Sequence, residues 1–224
     1  MCTCVILFAK LPVSGKVKTR LQPRLSASQA ADLYRSFLLD CAETATATTA
    51  ARKVIAYSPA GAADALGKML GSSAAAFDFV PQPDTDLGNR IEVMFEHSFE
   101  RGADRTVVLG SDSPSLGPEL IDRAFDLLRT RELVLGPCSD GGYYLVGQRQ
   151  VNRGLFRNIE WSSSRVFRQT LEAAAGLDLA LLPPWYDVDT AADAAFLRDH
   201  LEALERTGRR WGRRSLLQLR ALDL

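Results

Sequence analysis

Residues 4–9 read Cys-Val-Ile-Leu-Phe-Ala and residues 106–109 read Thr-Val-Val-Leu, and both runs are apolar or β-branched at successive rather than alternating positions. Continuous runs of this kind are typical of strands that helices cover on both faces, as in parallel sheets. Similar runs are residues 53–57 and 133–135, with weaker candidates at 77–80, 143–146 and 179–182. The sequence therefore predicts the buried strands of a mostly parallel sheet.

Segments with helical spacing separate these runs. In the first, Ser26 followed by Gln29 is the capping-box pattern of a helix start, and that helix extends to about Thr46. The other helical segments are residues 60–71, 87–101, 117–129, 163–175 and 190–206. Alternating strands and helices with short connections predict one three-layer α/β/α domain over residues 1–205. We expect residues 206–224 to form a basic, helical C-terminal extension.

The composition excludes several classes of protein. The 224 residues carry 27 basic and 27 acidic side chains, so the formal net charge is zero. A neutral chain is unlike a protein that coats nucleic acid or an anionic membrane. No apolar run approaches the ~18 residues of a membrane helix. We therefore expect a cytoplasmic protein with no nucleic-acid partner and no membrane span, whose oligomeric state is open, a homodimer being one option.

The neutral sum conceals an uneven distribution of charge. Residues 1–24 carry five basic residues and no acidic one, and residues 206–224 carry six arginines and one aspartate. The residues between them carry 16 basic and 26 acidic side chains. Two basic ends therefore flank an acidic body, and a local site for a polyanion is compatible with a neutral chain.

A basic loop, Lys-Leu-Pro-Val-Ser-Gly-Lys-Val-Lys-Thr-Arg-Leu at residues 10–21, follows the first predicted strand. It is not a Walker loop, because Lys10 and Val17 stand where that motif needs Gly and Ser or Thr. Ligands of open parallel sheets bind at the carboxyl ends of strands, where such cations can hold a polyphosphate. The alternative is a solvated basic loop. Its position favours phosphate binding.

Carboxylates follow other strands of the predicted sheet. Asp112 comes directly after the run at 106–109, between Gly110 and Pro114, and suits Mg²⁺ or Mn²⁺ shared with substrate phosphates. The alternative is an aspartate that shapes a turn or caps a helix. Asp187 and Asp189 alternate, so in an extended segment they face opposite sides. One can face the cleft while the other caps the last helix, and the spacing does not say which.

Residues 136–144 read Gly-Pro-Cys-Ser-Asp-Gly-Gly-Tyr-Tyr. Gly141 and Gly142 let the backbone approach a ligand closely, and Asp140, Tyr143 and Tyr144 could hydrogen-bond sugar hydroxyls. The alternative is a hairpin turn that joins the neighbouring strands, and both interpretations can hold together.

Two further features have structural interpretations. The serines of residues 161–164 are first a helix cap, with anion binding at the helix terminus as the alternative. His97 and His200 lie in helical stretches far from any partner motif, which argues against a histidine-based triad.

Six motifs occur in order and carry a resemblance. They are residues 8–21, Asp-Leu-Gly-Asn-Arg at 86–90, Leu-Gly-Ser-Asp-Ser-Pro at 109–114, Ser-Asp-Gly-Gly-Tyr-Tyr at 139–144, Trp-Ser-Ser at 161–163 and Asp-Val-Asp-Thr at 187–190. Over residues 4 to about 204 the chain resembles the bacterial glycosyltransferase family named after arsenosugar biosynthesis. That family belongs to the nucleotide-diphospho-sugar transferases with the GT-A fold. The pattern is also similar to guanylyltransferases that activate phospholactate and to molybdenum-cofactor nucleotidyltransferases.

The resemblance implies roles for single residues. Asp112 and Asp189 match the first and second metal ligands, and Gly88 and Asn89 fall near the nucleoside. The first loop would wrap the nucleotide phosphates. The nucleotide-binding positions that the residues and the resemblance together indicate are Lys10, Gly15, Lys18, Thr19, Arg20, Gly88, Asn89, Gly141, Gly142 and Tyr143.

Three hypotheses of function follow. In the first, a metal-dependent glycosyltransferase holds a nucleotide-diphospho-sugar; Lys18 and Arg20 neutralise the leaving diphosphate, and Asp140 is the general base. In the second, a nucleotidyltransferase binds an NTP, and a phosphorylated substrate attacks the α-phosphorus without needing a base. In the third, a nucleotide-binding or scaffolding module uses its basic tail to recruit a partner.

Overall fold

The computed structural model describes residues 2–222, and within this range seven strands form one sheet. The strands are β1 (Thr3–Lys10), β2 (Arg52–Ser58), β3 (Asp78–Pro81), β4 (Arg105–Leu109), β5 (Leu133–Pro137), β6 (Tyr143–Gln148) and β7 (Leu179–Leu181). Their order is β3-β2-β1-β4-β6-β5-β7. All the runs that the sequence predicts as strands are therefore members of this sheet.

One strand, β6, breaks the parallel arrangement. It pairs antiparallel with both β4 and β5, whereas β1–β2, β1–β4, β2–β3 and β5–β7 are parallel. The predicted mostly parallel sheet is confirmed. The hairpin interpretation of the Asp-Gly turn is confirmed as well, because β5 and β6 are joined directly through residues 138–142.

Seven helices of at least eight residues are found between residues 2 and 222. They are α1 (Ala27–Ala47), α2 (Ala63–Leu70), α3 (Leu87–Glu100), α4 (Pro118–Leu127), α5 (Val166–Ala173), α6 (Ala191–Arg206) and α7 (Arg213–Arg220). The predicted capping box at Ser26 and Gln29 is formed. In the described part of the chain, no helix combines the length and apolarity that crossing a membrane would require.

Helices cover both faces of the sheet. On one face, Val5, Leu7 and Ile55 pack against α1, α2 and α4. On the other, Ile6 and Val54 belong to a cluster completed by α3 and α5. Successive residues of a strand point to opposite faces, so β1 is apolar throughout because it is buried twice. The predicted three-layer α/β/α architecture is confirmed.

A further apolar cluster lies between α1 and the helices α6 and α7. Leu33 and Phe37, in the first half of that helix, pack with Leu197 and Leu201 of α6 and with Leu216 of α7. The helix α7, which lies beyond residue 205, packs on α1 and α6. Residues 223 and 224, which also belong to the predicted extension, lie outside the described residues.

The buried carboxylate of Asp40, on α1, anchors α7. Its Oδ2 accepts hydrogen bonds from the backbone N–H of Ser215 at 2.7 Å and from its hydroxyl at 2.6 Å, and Oδ1 accepts the backbone N–H of Arg214 at 3.2 Å. The side chain of Arg214 also pairs with Asp40 and Glu43. A carboxylate at a helix N-terminus satisfies free N–H groups and opposes the positive end of the helix dipole.

Replacing this carboxylate tests the anchor. We expect Asp40→Ala to lower the free energy of unfolding by about 2–4 kcal/mol, because buried N–H donors lose their acceptor. Urea denaturation followed by circular dichroism measures the effect. Asp32→Ala, at an exposed position of the same helix, is the control and should stay within about 0.5 kcal/mol of the wild type. Equal stability of the two variants would contradict the anchor.

Candidate active site

A cleft of about 1030 Å³ opens at the carboxyl ends of β1 and β4. The first residues of β6 reach the same edge because that strand runs in the opposite direction. Loops from several different parts of the chain form the walls. The predicted site residues that line the cleft are Lys10, Lys18, Thr19, Arg20, Asp112, Asp140, Gly142, Tyr143 and Asp189.

Lys18 occupies the centre of the charged region. Its backbone is left-handed, with φ 46° and ψ 43°, which is uncommon for a residue other than glycine. The short 3-10 helix Thr19–Leu21 follows, and its Leu21 is fully buried. This conformation directs the Lys18 side chain inward, where only 4% of it is exposed.

The ammonium group of Lys18 lies between two carboxylates. Its Nζ is 2.7 Å from Oδ1 of Asp112 and 3.0 Å from Oδ1 of Asp189, and it donates to the carbonyl oxygen of Val188 at 2.5 Å. Burial alone would lower the pKa of Lys18, but the two carboxylates outweigh it and the pKa is raised. Lys18 is therefore a protonated counter-ion within the cleft, and each of its three N–H groups has an acceptor.

The other cations of the first loop are more accessible. Arg20 is 67% exposed on its side chain, and its Nη1 is 3.4 Å from Oδ2 of Asp189. Lys10 donates from Nζ to the backbone carbonyl of Lys16 at 2.9 Å, which closes the loop on itself. Lys10, Lys16 and Arg20 all line the cleft, and their charged groups have capacity for further acceptors.

Asp187 and Asp189 both line the cleft, so the expectation that one of them caps the last helix is wrong. Thr190 is the N-cap of α6, and it forms a capping box with Asp193. Asp187 accepts a hydrogen bond from the hydroxyl of Ser113 at 2.6 Å. Burial, reinforced by the nearby charge of Asp112, raises the pKa of Asp187 to about 6.

Besides Asp112 and Asp189, the structure brings together a second group of side chains that could bind a metal ion. One ligand atom from each of Cys138, Asp140 and Asp187 lies within 4.8 Å of the others. Burial raises the pKa of the Cys138 thiol, and its sulfur is a softer ligand than Mg²⁺ and Mn²⁺ prefer. The remaining donors are carboxylate oxygens, the ligands that Mg²⁺ and Mn²⁺ prefer. The carboxylates of Asp140 and Asp187 thus fit the expected metal, whereas the predicted ligands Asp112 and Asp189 are not members of this group.

The residues of the turn between β5 and β6 have different roles. Asp140 is exposed, and its Oδ1 accepts the backbone N–H of Gly142 at 2.8 Å. Gly141 has φ 90° and is not on the cleft wall; a side chain there would collide with the backbone of Ser164. Gly141 therefore shapes the turn, while Asp140 and Gly142 face the cleft.

The tyrosine hydroxyls of this hairpin point away from the cleft. The Tyr143 ring lines the cleft, but its hydroxyl oxygen is buried beside Thr170. The hydroxyl of Tyr144 donates to the carbonyl of Pro183 at 3.1 Å. The hydroxyl contacts to sugar that the sequence suggests for these tyrosines are thus not positioned; Tyr143 offers a ring face.

Three more of the predicted nucleotide-binding residues are not on the cleft wall. Gly15 lies in a left-handed turn with φ 76°, with open space where a side chain would be. Gly88 is a packing residue, since a Cβ there would lie 2.5 Å from the carbonyl oxygen of Phe156. Asn89 donates its backbone N–H to Asp86 and its amide to Thr85.

Sequence reasoning missed part of the lining. Arg90 lines the cleft one residue beyond Asn89, and the serines of 162–164 line it after Trp161. The interpretation of these serines as a helix cap is wrong: α5 begins at Val166 with no side-chain cap, and Ser162 is left-handed with φ 65°. The signal for these residues was the serine run itself, whose alternative interpretation was anion binding.

Comparison with known proteins identifies relatives of the chain. Residues 41–163 match the family described as "Uncharacterized protein conserved in bacteria (DUF2064)". None of the curated proteins matches the chain in sequence. A solved structure from Desulfovibrio desulfuricans G20, whose given name proposes a nucleotide-diphospho-sugar transferase, is 33% identical. That match covers 100% of each chain with a TM-score of 0.87.

More distant structures share the fold. A CMP:2-keto-3-deoxy-manno-octonic acid synthetase complexed with CTP is 13% identical, with 91% of this chain and 99% of that chain covered and a TM-score of 0.58. Rv0371C complexed with manganese, from Mycobacterium tuberculosis H37Rv, is 18% identical, with 88% and 97% covered and a TM-score of 0.51. The predicted nucleotide-diphospho-sugar transferase fold is confirmed, and the narrower resemblance to the arsenosugar-named family stays a prediction.

Removing the cation between the carboxylates tests the central contact. We expect Lys18→Met to lower the free energy of unfolding by about 1–3 kcal/mol, a value reduced from that of a fully buried pair because both carboxylates are partly exposed. Adding Asp112→Asn to this variant should recover part of the loss, since one repelling charge disappears. Denaturant unfolding of the single and double variants gives the coupling. Lys16→Met, in the same loop, is the control, and additive effects would contradict the contact.

Proposed function

The chain belongs to the bacterial family DUF2064, and we propose that it is a glycosyltransferase with a nucleotide-diphospho-sugar as donor and a hydroxyl-bearing acceptor. One observation carries this proposal: a basic loop and a group of four carboxylates, those of Asp112, Asp140, Asp187 and Asp189, line the same large cleft. The name given to the Desulfovibrio desulfuricans structure supports the same class of donor.

The charge distribution of the cleft matches such a donor. A nucleotide-diphospho-sugar has an anionic centre between two hydroxyl-rich parts. Lys10, Lys16 and Arg20 provide cations for the diphosphate on one side. The cleft of about 1030 Å³ is at the upper end of the range for small-ligand sites, about 300–1000 Å³, so both ends of the donor can enter together.

Asp112 and Asp189 would hold a divalent cation beside that diphosphate. Their Oδ1 atoms already converge on one positive charge, the ammonium of Lys18. Bound Mg²⁺ or Mn²⁺ would stabilise negative charge on the leaving diphosphate. The manganese in the Rv0371C structure supports the choice of metal.

The transfer itself uses groups of this chain. The acceptor oxygen would form a bond to the anomeric carbon while the bond from that carbon to the diphosphate oxygen breaks. Asp140, exposed on the cleft wall, would take the proton of the acceptor hydroxyl. Arg20 and Lys18 would oppose the charge that the leaving nucleoside diphosphate carries away.

Nucleotidyl transfer is the second candidate. The CTP complex of a synthetase with this fold supports it, because CTP is a nucleoside triphosphate. In this reaction a substrate phosphate attacks the α-phosphorus of the triphosphate, and pyrophosphate leaves. Since a phosphate nucleophile is already anionic, Asp140 would have no proton to remove.

The released product separates the two candidates. We expect nucleoside diphosphate from a panel of sugar nucleotides with Mg²⁺ or Mn²⁺, detected by chromatography, and no pyrophosphate from NTPs. Asp140→Asn should lower kcat by about 100-fold or more, because the base is lost. Asp126→Asn, at an exposed position of α4, is the matched control. Pyrophosphate release that is insensitive to Asp140→Asn would establish the second candidate instead.

Metal affinity tests the shared carboxylate site without turnover. Because the Lys18 ammonium stands between the oxygens of Asp112 and Asp189, removing it should favour a competing cation. We expect Lys18→Met to bind Mn²⁺ about tenfold more tightly than the wild type in electron paramagnetic resonance titrations. Asp112→Asn should bind Mn²⁺ at least about tenfold more weakly. Unchanged affinity in both variants would exclude these carboxylates as the metal site.

A further inference from the structure

A second cavity, of about 360 Å³, lies where the end of α6 turns into α7. Its walls include three arginines and an indole ring, those of Arg209, Arg210, Arg213 and Trp211. None of these residues lines the cleft of the candidate active site. The feature is therefore separate from the proposed transferase chemistry and does not depend on it.

The arginines of this cavity differ from their neighbours in charge pairing. Arg214 pairs with Asp40 and Glu43, and Arg220 pairs with Glu202 and Glu205. Within residues 2–222, by contrast, the guanidinium groups of the three cavity arginines make no ion pair and no side-chain hydrogen bond. The described carboxylate in the cavity wall, Glu205, is already 3.0 Å from Nη2 of Arg220. Among the described residues, the three guanidinium groups of the cavity thus have no carboxylate in contact.

The backbone that carries these arginines is held in place. Gly208 and Gly212 are left-handed, with φ 81° and 76°, and they reverse the chain between the helices. Gly212 is pressed against the body, since a Cβ there would lie 2.5 Å from Leu201 and 3.0 Å from the carbonyl of Pro114. The hydrogen bonds from Ser215 to buried Asp40 fix the start of α7. A fixed backbone reduces the ordering cost of binding.

We propose that this cavity, which we call the arginine pocket, binds a phosphate group. Three guanidinium forks without partners are suited to bidentate contacts with phosphate oxygens. Trp211 is half-buried and offers an apolar surface beside them for the rest of the ligand. The volume lies near the lower end of the range for small-molecule sites, so a phosphate group with a small attached part fits.

The phosphate group can come from a soluble phosphomonoester or from the headgroup of an anionic lipid, and two probes distinguish these sources. The first is inorganic phosphate, titrated by calorimetry into the full chain. The second is a vesicle of phosphatidylcholine with phosphatidic acid, assayed by co-sedimentation. If inorganic phosphate binds and this binding depends on the arginine pocket, the source is a soluble phosphomonoester. If only the vesicles bind and their binding depends on the arginine pocket, the source is a lipid headgroup.

The test compares two triple variants of equal charge. R209A/R210A/R213A removes the arginine pocket, and R35A/R129A/R149A removes three exposed arginines elsewhere. We expect the first to lose at least tenfold in affinity for the responsive probe and the second to bind as the wild type does. Replacing the pocket arginines with lysine keeps the charge and loses the forks, so an intermediate loss is expected.

Several results would overturn the proposal. These are a wild type that binds neither probe, a pocket variant that binds both probes as the wild type does, and a control variant that loses as much affinity as the pocket variant. Since the three arginines are exposed and unpaired in the described chain, the pocket variant should unfold at the same temperature as the wild type. If it does not, the lysine variant, which keeps the charge, supplies the comparison.

Discussion

The buried ammonium group of Lys18 is the contact on which the arrangement of the cleft depends. It joins three parts of the chain that the sheet alone would leave independent: the loop after β1, the loop after β4 through Asp112, and the segment before α6 through Asp189. Without a cation, two carboxylates aimed at one point would repel each other. The same contact explains the left-handed backbone at Lys18, a conformation that persists only where surrounding structure determines it.

Most of the fold could be predicted from sequence because its signals are local. Runs that are apolar at every position, such as β1, report burial on two faces, and Ser26 with Gln29 reports a helix start within three residues. For the antiparallel direction of β6, the only sequence signal was the predicted hairpin turn at residues 138–142, which joins it to β5. That α1 is covered on its outer side by α6 and α7 could not be foreseen, because it depends on which distant apolar faces meet.

The candidate site was predictable in its parts and less so in its geometry. Because Lys18 and Asp112 each follow a strand, the sequence could predict that they lie at the same cleft. It could not predict their direct contact, since they are 94 positions apart in the chain. The alternation argument failed at Asp187 and Asp189 because it assumes an extended strand. The structure gives this stretch no strand, and only an isolated bridge at Trp185 precedes it. At Gly88 the motif did not show that the glycine is closely packed against Phe156 and Trp161.

The basic side chains at the two ends of the chain make different contacts. The N-terminal cations Lys10, Lys16, Lys18 and Arg20 all reach the cleft, where Lys18 meets the carboxylates and Arg20 remains largely exposed. At the C-terminus, α1 and α6 provide acidic partners for Arg214 and Arg220 but none for the arginine pocket. Since salt screens charges beyond about 8 Å under physiological conditions, separate cavities respond to their own nearby charges. A net charge of zero is thus compatible with a cleft in which cations and carboxylates meet and a separate cavity lined by arginines, because the compensating carboxylates are distributed unequally between them.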